Sequence, residues 1–155
     1  MKGKAKVIQV LNDLLAGELT AIDQYFVHSR MYEDMGLSKL FERLGHEHEE
    51  ETDHADQMIK RILFLEGKPD LAKREPLNVG DTVPQMLKND LDLEYSVIDN
   101  LKAAIALCER EQDFETREML LKQLEDSEED HAYWLEKQLG LIDKIGLPNY
   151  LQSQM

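Results

Sequence analysis

Apolar residues recur at steps of three and four through four separate stretches of this chain, each long enough for a helix of roughly 40 Å at about 1.5 Å per residue. The stretches cover about 4–34, 38–66, 84–111 and 113–139, and a short tail near 147–153 has room for one or two further turns. Their seams read Leu11, Leu15, 18, Ile22, Tyr25; Leu40, Leu44, 47, 51, 54, Met58, Ile62, Leu65; Leu87, Leu91, 94, Ile98, Leu101, Ile105, Cys108; and Leu121, Leu124, 128, 131, Leu135, Leu139. Gly36 stops the first stretch and Ser38 is a cap candidate for the second, while Gly67 and Pro69 end the second and Pro84 opens the third. The connections are therefore short, long and short. That order predicts an all-α four-helix bundle, two up-down pairs joined by one long crossover between helices two and three, with a short fifth helix at the C-terminus.

Composition narrows the partners. Eighteen Lys and Arg against 32 Asp and Glu leave a formal net charge of −14, which argues against nucleic acid, whose phosphates need clustered basic side chains. Hydrophobic residues at 42% are enough for a packed core in a single domain spanning 1–155. The lone cysteine, Cys108, excludes an internal disulfide framework and suits a reducing compartment. Asn12 and Asp13 interrupt any apolar run behind the basic N-terminus, and no run approaches the roughly 20 apolar residues of a membrane span. The expectation is a cytoplasmic chain with no membrane partner.

Besides Glu47, six positions break the apolar seams, and all six are ionisable: Glu18, Glu51, His54, Glu94, Glu128 and His131. An unpaired carboxylate in a core costs several kcal/mol, so four of them need compensating charge, and no Lys or Arg shares their seams. The pattern also repeats. Helix one offers a lone Glu18 and helix two Glu51-x-x-His54; helix three offers Glu94 and helix four Glu128-x-x-His131. A spacing of three stacks Glu and His on one helix face.

Four carboxylates and two neutral imidazoles balance two divalent cations, and the mixed oxygen and nitrogen set suits iron or manganese better than structural zinc. Carboxylates between two such ions can bridge them while each His caps one, leaving room for a small oxidant. One Glu-x-x-His is weak evidence, since it is often a surface pair. Two at matching seam positions, each with a lone Glu one helix earlier, are much stronger. The competing explanation is a set of buried polar groups that satisfy one another.

With these residues the chain resembles the bacterioferritins, iron-storing members of the ferritin-like superfamily. The resemblance runs from Lys2-Gly3 through Asp23-Gln24-Tyr25-Phe26 and Arg61-Ile62-Leu63-Phe64-Leu65-Glu66-Gly67 to Asn149-Tyr150-Leu151-Gln152, and includes all six seam residues. It implies a ferritin-like fold and a di-iron ferroxidase centre made by those six. It further implies a hollow shell of 24 subunits holding ferric mineral, with the C-terminal helix lining a pore. One departure concerns haem b. The position of the family's axial Met, two residues before the second-helix His, is Thr52, a poor haem ligand. Haem is therefore not expected from this chain alone, which looks like a haem-free homopolymer or the ferroxidase partner in a mixed shell with a haem-binding bacterioferritin subunit. Pro148 is a second departure, within the tail.

Several further residues are weighed against plainer roles. Tyr25, two turns beyond Glu18 on the same face, is a candidate hydrogen-bond partner and one-electron donor, or a core Tyr. Trp134 reads as packing more than as an electron source. Glu47 lies one turn before Glu51, and His46 with Glu50 is spaced i,i+4; these three are candidate secondary iron ligands on the route to the centre, or part of a solvated acidic face. His28 and His48 read as surface or interface residues, Met31 and Met58 as packing, and Cys108 as a small core residue.

The expected function is oxidation of Fe(II) by dioxygen or hydrogen peroxide, with Glu51 and Glu128 bridging, Glu18 and Glu94 terminal, and the two His as nitrogen ligands. The alternative is a passive storage subunit whose oxidation a partner chain performs. A rubrerythrin-type peroxidase is disfavoured, because one cysteine cannot build its rubredoxin-like module. The resemblance also names a ferredoxin as candidate reductant for iron release, although its route through haem is weakened by Thr52.

Overall fold

A computed structural model describes residues 1–155, all helix and loop. Four rods form the bundle: α1 (Ala5–Asp34), α2 (Ser38–Phe64), α3 (Val83–Arg110), and a fourth built from α4 (Phe114–Glu125), a π-helical segment (Asp126–Ala132) and α5 (Tyr133–Ile145). A short α6 (Leu147–Ser153) follows. This is the all-α four-helix bundle with a short terminal helix expected from the seams. No helix is long and apolar enough to cross a membrane.

Local chemistry sets the helix ends. Gly36 adopts φ 78 and turns α1 into α2. Ser38 falls inside the first turn of α2, not at its cap, and makes no capping bond; Leu37 holds the cap position. Thr82 accepts from the Gln85 N–H at the start of α3, and Asp113 accepts from that of Thr116 at the start of α4. The fourth rod does not stop near Leu139. It runs through Gly140 to Ile145 and ends at Gly146, whose φ of 80 an L side chain would resist, and Pro148 then occupies the first turn of α6.

The α2 seam is buried at every position from Leu40 to Leu65. Its apolar members join two core clusters. One contains Tyr25, Leu40, Leu44, Leu87 and Leu135; the other contains Leu11, Leu15, Met58, Ile62 and Leu101. Tyr150 of α6 caps the first cluster, its hydroxyl donating to Gln138 Oε1 at 2.7 Å. Polar residues fill the level between the clusters.

The crossover between α2 and α3 is tied down by one stripe of α1. Asn12 Oδ1 accepts from the Asp70 N–H at 2.9 Å, Thr20 Oγ1 from Glu75 at 2.8 Å, Gln24 Oε1 from Asn78 at 3.1 Å and His28 Nε2 from Gly80 at 3.1 Å. Residues four and eight apart share a helix face, so one stripe meets successive amides of an extended strap. Gly80 is required here, since a Cβ would lie 2.6 Å from the Met86 backbone nitrogen. His28 is thus fully buried, not a surface residue.

Candidate metal centre

Four rods bring five of the six seam residues together: Glu18 from α1, Glu51 and His54 from α2, Glu94 from α3 and His131 from the π segment, none more than 3% exposed. They form two overlapping groups, Glu18–Glu51–His54 and Glu51–Glu94–His131, whose potential ligand atoms lie within 4.8 Å of one another in each group. Glu51 belongs to both. His54 Nδ1 lies 3.5 Å from Glu51 Oε2 and 3.9 Å from Glu18 Oε2, and His131 Nδ1 lies 2.8 Å from Glu51 Oε1 and 3.3 Å from Glu94 Oε1. Tyr25 donates its hydroxyl hydrogen to Glu94 Oε1.

Several inward-facing atoms have no hydrogen-bond partner: Glu18 Oε2, Glu51 Oε2, Glu94 Oε2 and His54 Nδ1. Orphaned carboxylate oxygens and an orphaned ring nitrogen, converging at the centre of a bundle, are the donor set of divalent iron or manganese. The residues fit a pair of cations.

The groups also perturb one another's protonation. Burial, then the charge of Glu51, raises Glu18 well above the usual carboxylate range. The same two causes push Glu94 up to about 7, against opposing pulls from His131 and Tyr25. Burial works against ionisation of Glu51, but contacts with Glu18, His131 and His54 outweigh it and hold Glu51 low. Burial also opposes charge on the imidazoles. The carboxylates of Glu18 and Glu51 override it for His54, raised to about 11, and those of Glu47, Glu51 and Glu94 do so for His131. Without metal, protons on the two imidazoles therefore supply the compensating positive charge.

Glu128 stands apart. It is exposed, on the outer face of the fourth rod, with Oε1 3.3 Å from Lys102 Nζ. The cause is the π segment: i→i+5 hydrogen bonding widens the turn, so residues three apart no longer stack on one face. His131 stays in the core while Glu128 rotates out. The buried line of this rod is Leu120, Gln123, Ser127, His131 and Leu135, one residue off the expected 121, 124, 128 in its first half.

A third group, Glu47, Glu50, Asp130 and His131, adjoins the first two. His131 Nε2 is 2.5 Å from Glu47 Oε2 and 2.6 Å from Glu50 Oε2, and Glu50 Oε1 is 2.8 Å from His46 Nε2. His46 is exposed, Glu50 half-buried and Glu47 buried, so the three step inward from solvent to His131. Arg43 reaches this group from outside the seam, with Nη2 2.5 Å from Glu47 Oε1 and 3.0 Å from Asp130 Oδ1, and its guanidinium lies 4.6 Å over the Trp134 ring. Trp134 is half-buried, and His48 packs on Phe26 with ring centroids 5.3 Å apart.

Three functional neighbours were not legible as such. Arg43 precedes Glu47 by four, a spacing that is visible but common. Asp130 sits one residue before His131, where an α-helical reading points it elsewhere. Asp126 contacts His54 Nε2 at 2.9 Å across 72 residues of sequence, a contact with no local signal.

Comparison with known proteins agrees with this bundle. The profile described as a ferritin-like domain matches residues 8–145, and the chain belongs to that family. Relatives named bacterial ferritin support iron storage as its class of function, and the buried carboxylate and imidazole groups are compatible with metal binding. It is 64% identical over 155 residues to the bacterial ferritin of Synechocystis sp., covering 100% of this chain and 99% of that protein. The bacterial ferritin of Pseudomonas aeruginosa is 59% identical with full coverage of both. The bacterioferritin of Mycolicibacterium paratuberculosis is 41% identical over 150 residues, 97% of this chain and 94% of that one.

Proposed function

We propose that this chain is a ferroxidase that stores its own product. Two Fe(II) ions are the substrates, bound by Glu18, Glu51, His54, Glu94, His131 and, once it turns inward from Lys102, Glu128. Each Fe(II) gives up one electron. The two electrons and two protons convert dioxygen to hydrogen peroxide, or hydrogen peroxide to two waters. The observation that carries the reading is the convergence of orphaned carboxylate oxygens and His54 Nδ1 around Glu51.

In this reading Glu51 and Glu128 bridge, Glu18 and Glu94 are terminal, and His54 and His131 ligate through Nδ1. In the same reading Tyr25, whose hydroxyl donates to Glu94, delivers an electron or a proton. Glu47, Glu50 and His46 form the route along which iron passes between the centre and a mineral cavity, and the net charge of −14 concentrates ferrous ions nearby. The shell is a 24-mer in the cytoplasm, built of this chain alone or mixed with a haem-binding subunit, and a ferredoxin reduces the mineral. Thr52 is exposed and turns its hydroxyl back to the His48 carbonyl at 2.8 Å, which supports a chain that supplies no axial haem ligand.

One observation favours a second reading, a passive storage subunit: Glu128 pairs with Lys102 outside the core. An aerobic Fe(II) titration of the purified shell separates the two. A fast ferric absorbance phase saturating at about two irons per chain supports the ferroxidase. Oxidation no faster than in buffer alone gives the passive reading the lead.

A further inference from the structure

We propose that Asp126 is a positioning residue for His54, fixing which ring nitrogen faces the carboxylates. This rests on the dinuclear reading above. His54 is buried on α2, with Nδ1 toward Glu51 and Glu18 and Nε2 toward the fourth rod. There Asp126, the first residue of the π segment, places Oδ2 2.9 Å from Nε2. A carboxylate can only accept, so Nε2 carries the hydrogen, and in the neutral ring the lone pair then lies on Nδ1, pointing inward.

Two further observations fit that role. Asp126 is more than half exposed, so burial does not force it onto the ring. Gln123, one turn earlier, donates to the His54 backbone carbonyl at 3.3 Å, so the same rod holds both the backbone and the ring of this residue. The arrangement is also reciprocal. His131, on the fourth rod, has its Nε2 against Glu47 and Glu50 of α2, while His54, on α2, has its Nε2 against Asp126 of the fourth rod. Each imidazole is oriented by acid from the opposing helix. The Glu-x-x-His repeat does not contain this relation: Glu50 lies four residues before His54, and Asp126 five before His131.

Partners on the far nitrogen of a metal-ligating His typically affect affinity about 10–100-fold. The test is Co(II) titration of the assembled shell, following ligand-field absorbance, for wild type, Asp126→Ala, Asp126→Asn and, as a control for lost surface charge, Asp53→Ala. Wild type binds about two Co(II) per chain. In Asp126→Ala one of the two weakens roughly 10–100-fold while the other and the thermal midpoint of the metal-free shell are unchanged. Asp126→Asn recovers most of that loss, because its amide oxygen accepts the same Nε2 hydrogen. Asp53→Ala leaves both affinities alone. Unchanged affinities in Asp126→Ala, equal weakening of both ions, or an Asn variant no better than Ala overturns the assignment. A wild-type shell that binds fewer than two Co(II) overturns the dinuclear reading itself, whatever the variants do.

Discussion

His54 and His131 lie with ring centroids 6.3 Å apart and planes inclined by 26°, and each turns its Nδ1 to a different oxygen of Glu51. One carboxylate thus stands between two imidazoles carried by opposing helices. In the metal-free chain those rings hold protons in place of cations, which makes the core sensitive to pH in a defined direction.

Glu94 is the clearest case. Its pKa rises from 4.5 to about 7 on folding, so the folded state holds the proton longer than the unfolded state. The stability this contributes is complete below about pH 4.5 and is lost as pH rises through about 7. His54, raised from 6.5 to about 11, acts in the same direction: its contribution is complete below about 6.5 and is lost through about 11. Metal-free shells should therefore melt lower at pH 8 than at about pH 5, with Glu94 contributing on the order of a few kcal/mol. Glu94→Gln, which mimics the protonated acid, should flatten that dependence in thermal scans. An unaltered slope would count against the shift.

Metal uptake must displace those protons. Binding through neutral imidazoles should release about two protons per pair of Co(II) near pH 8, with further release from Glu18, whose carboxyl is held well above the usual range, and from Glu94 below about pH 7. An indicator dye or calorimetry in buffers of differing ionisation enthalpy counts them. Release of fewer than one would show that the imidazoles are not ligands.

Tyr25→Phe removes the hydroxyl that donates to Glu94 and helps hold its pKa down. The cost in stability should be about 1 kcal/mol. The pH at which Co(II) affinity begins to fall should move upward. A midpoint that stays put or moves down would mean that the tyrosine does not tune this carboxylate.

Glu18→Ala and Glu128→Ala distinguish a ligand already in the core from one that must enter it. If Glu128 turns inward with iron, both variants should slow the initial phase of Fe(II) oxidation at least roughly tenfold, as loss of a ligand should exceed loss of its supporting partner. Wild-type speed in Glu128→Ala would leave a centre of five residues. Wild-type speed in the double variant would remove the centre altogether.

Gly80→Ala should destabilise the shell by roughly 1–3 kcal/mol, because the added Cβ meets backbone at Met86 and displaces the amide bonded to His28. A thermal midpoint equal to wild type would show that the strap has slack.

Much of this architecture was legible because each seam is a local property. The α2 seam, Leu40 through Leu65, is buried at every expected position, and Glu51 and His54 stand out within it because an α-helix keeps residues three apart on one face. The same rule misplaced Glu128. Leu121 and Leu124 draw the seam one residue toward the outer face, whereas Leu120, Gln123 and Ser127 are the buried residues, two of them polar and so silent in an apolar pattern. His28 was likewise unreadable, since its partners Asp90 and Gly80 lie 62 and 52 residues away.

Amino-acid order alone determined the four helices, the long crossover and a core too rich in carboxylates to be neutral without cations or protons, because periodicity, turn residues and charge are fixed within a few residues of each position. Only the tertiary structure decided which carboxylate stands between the two imidazoles, that Asp126 meets His54, and that a widened turn carries Glu128 to Lys102. Those relations depend on how rods from distant parts of the chain pack and on one turn's departure from α geometry, and neither is written in local spacing.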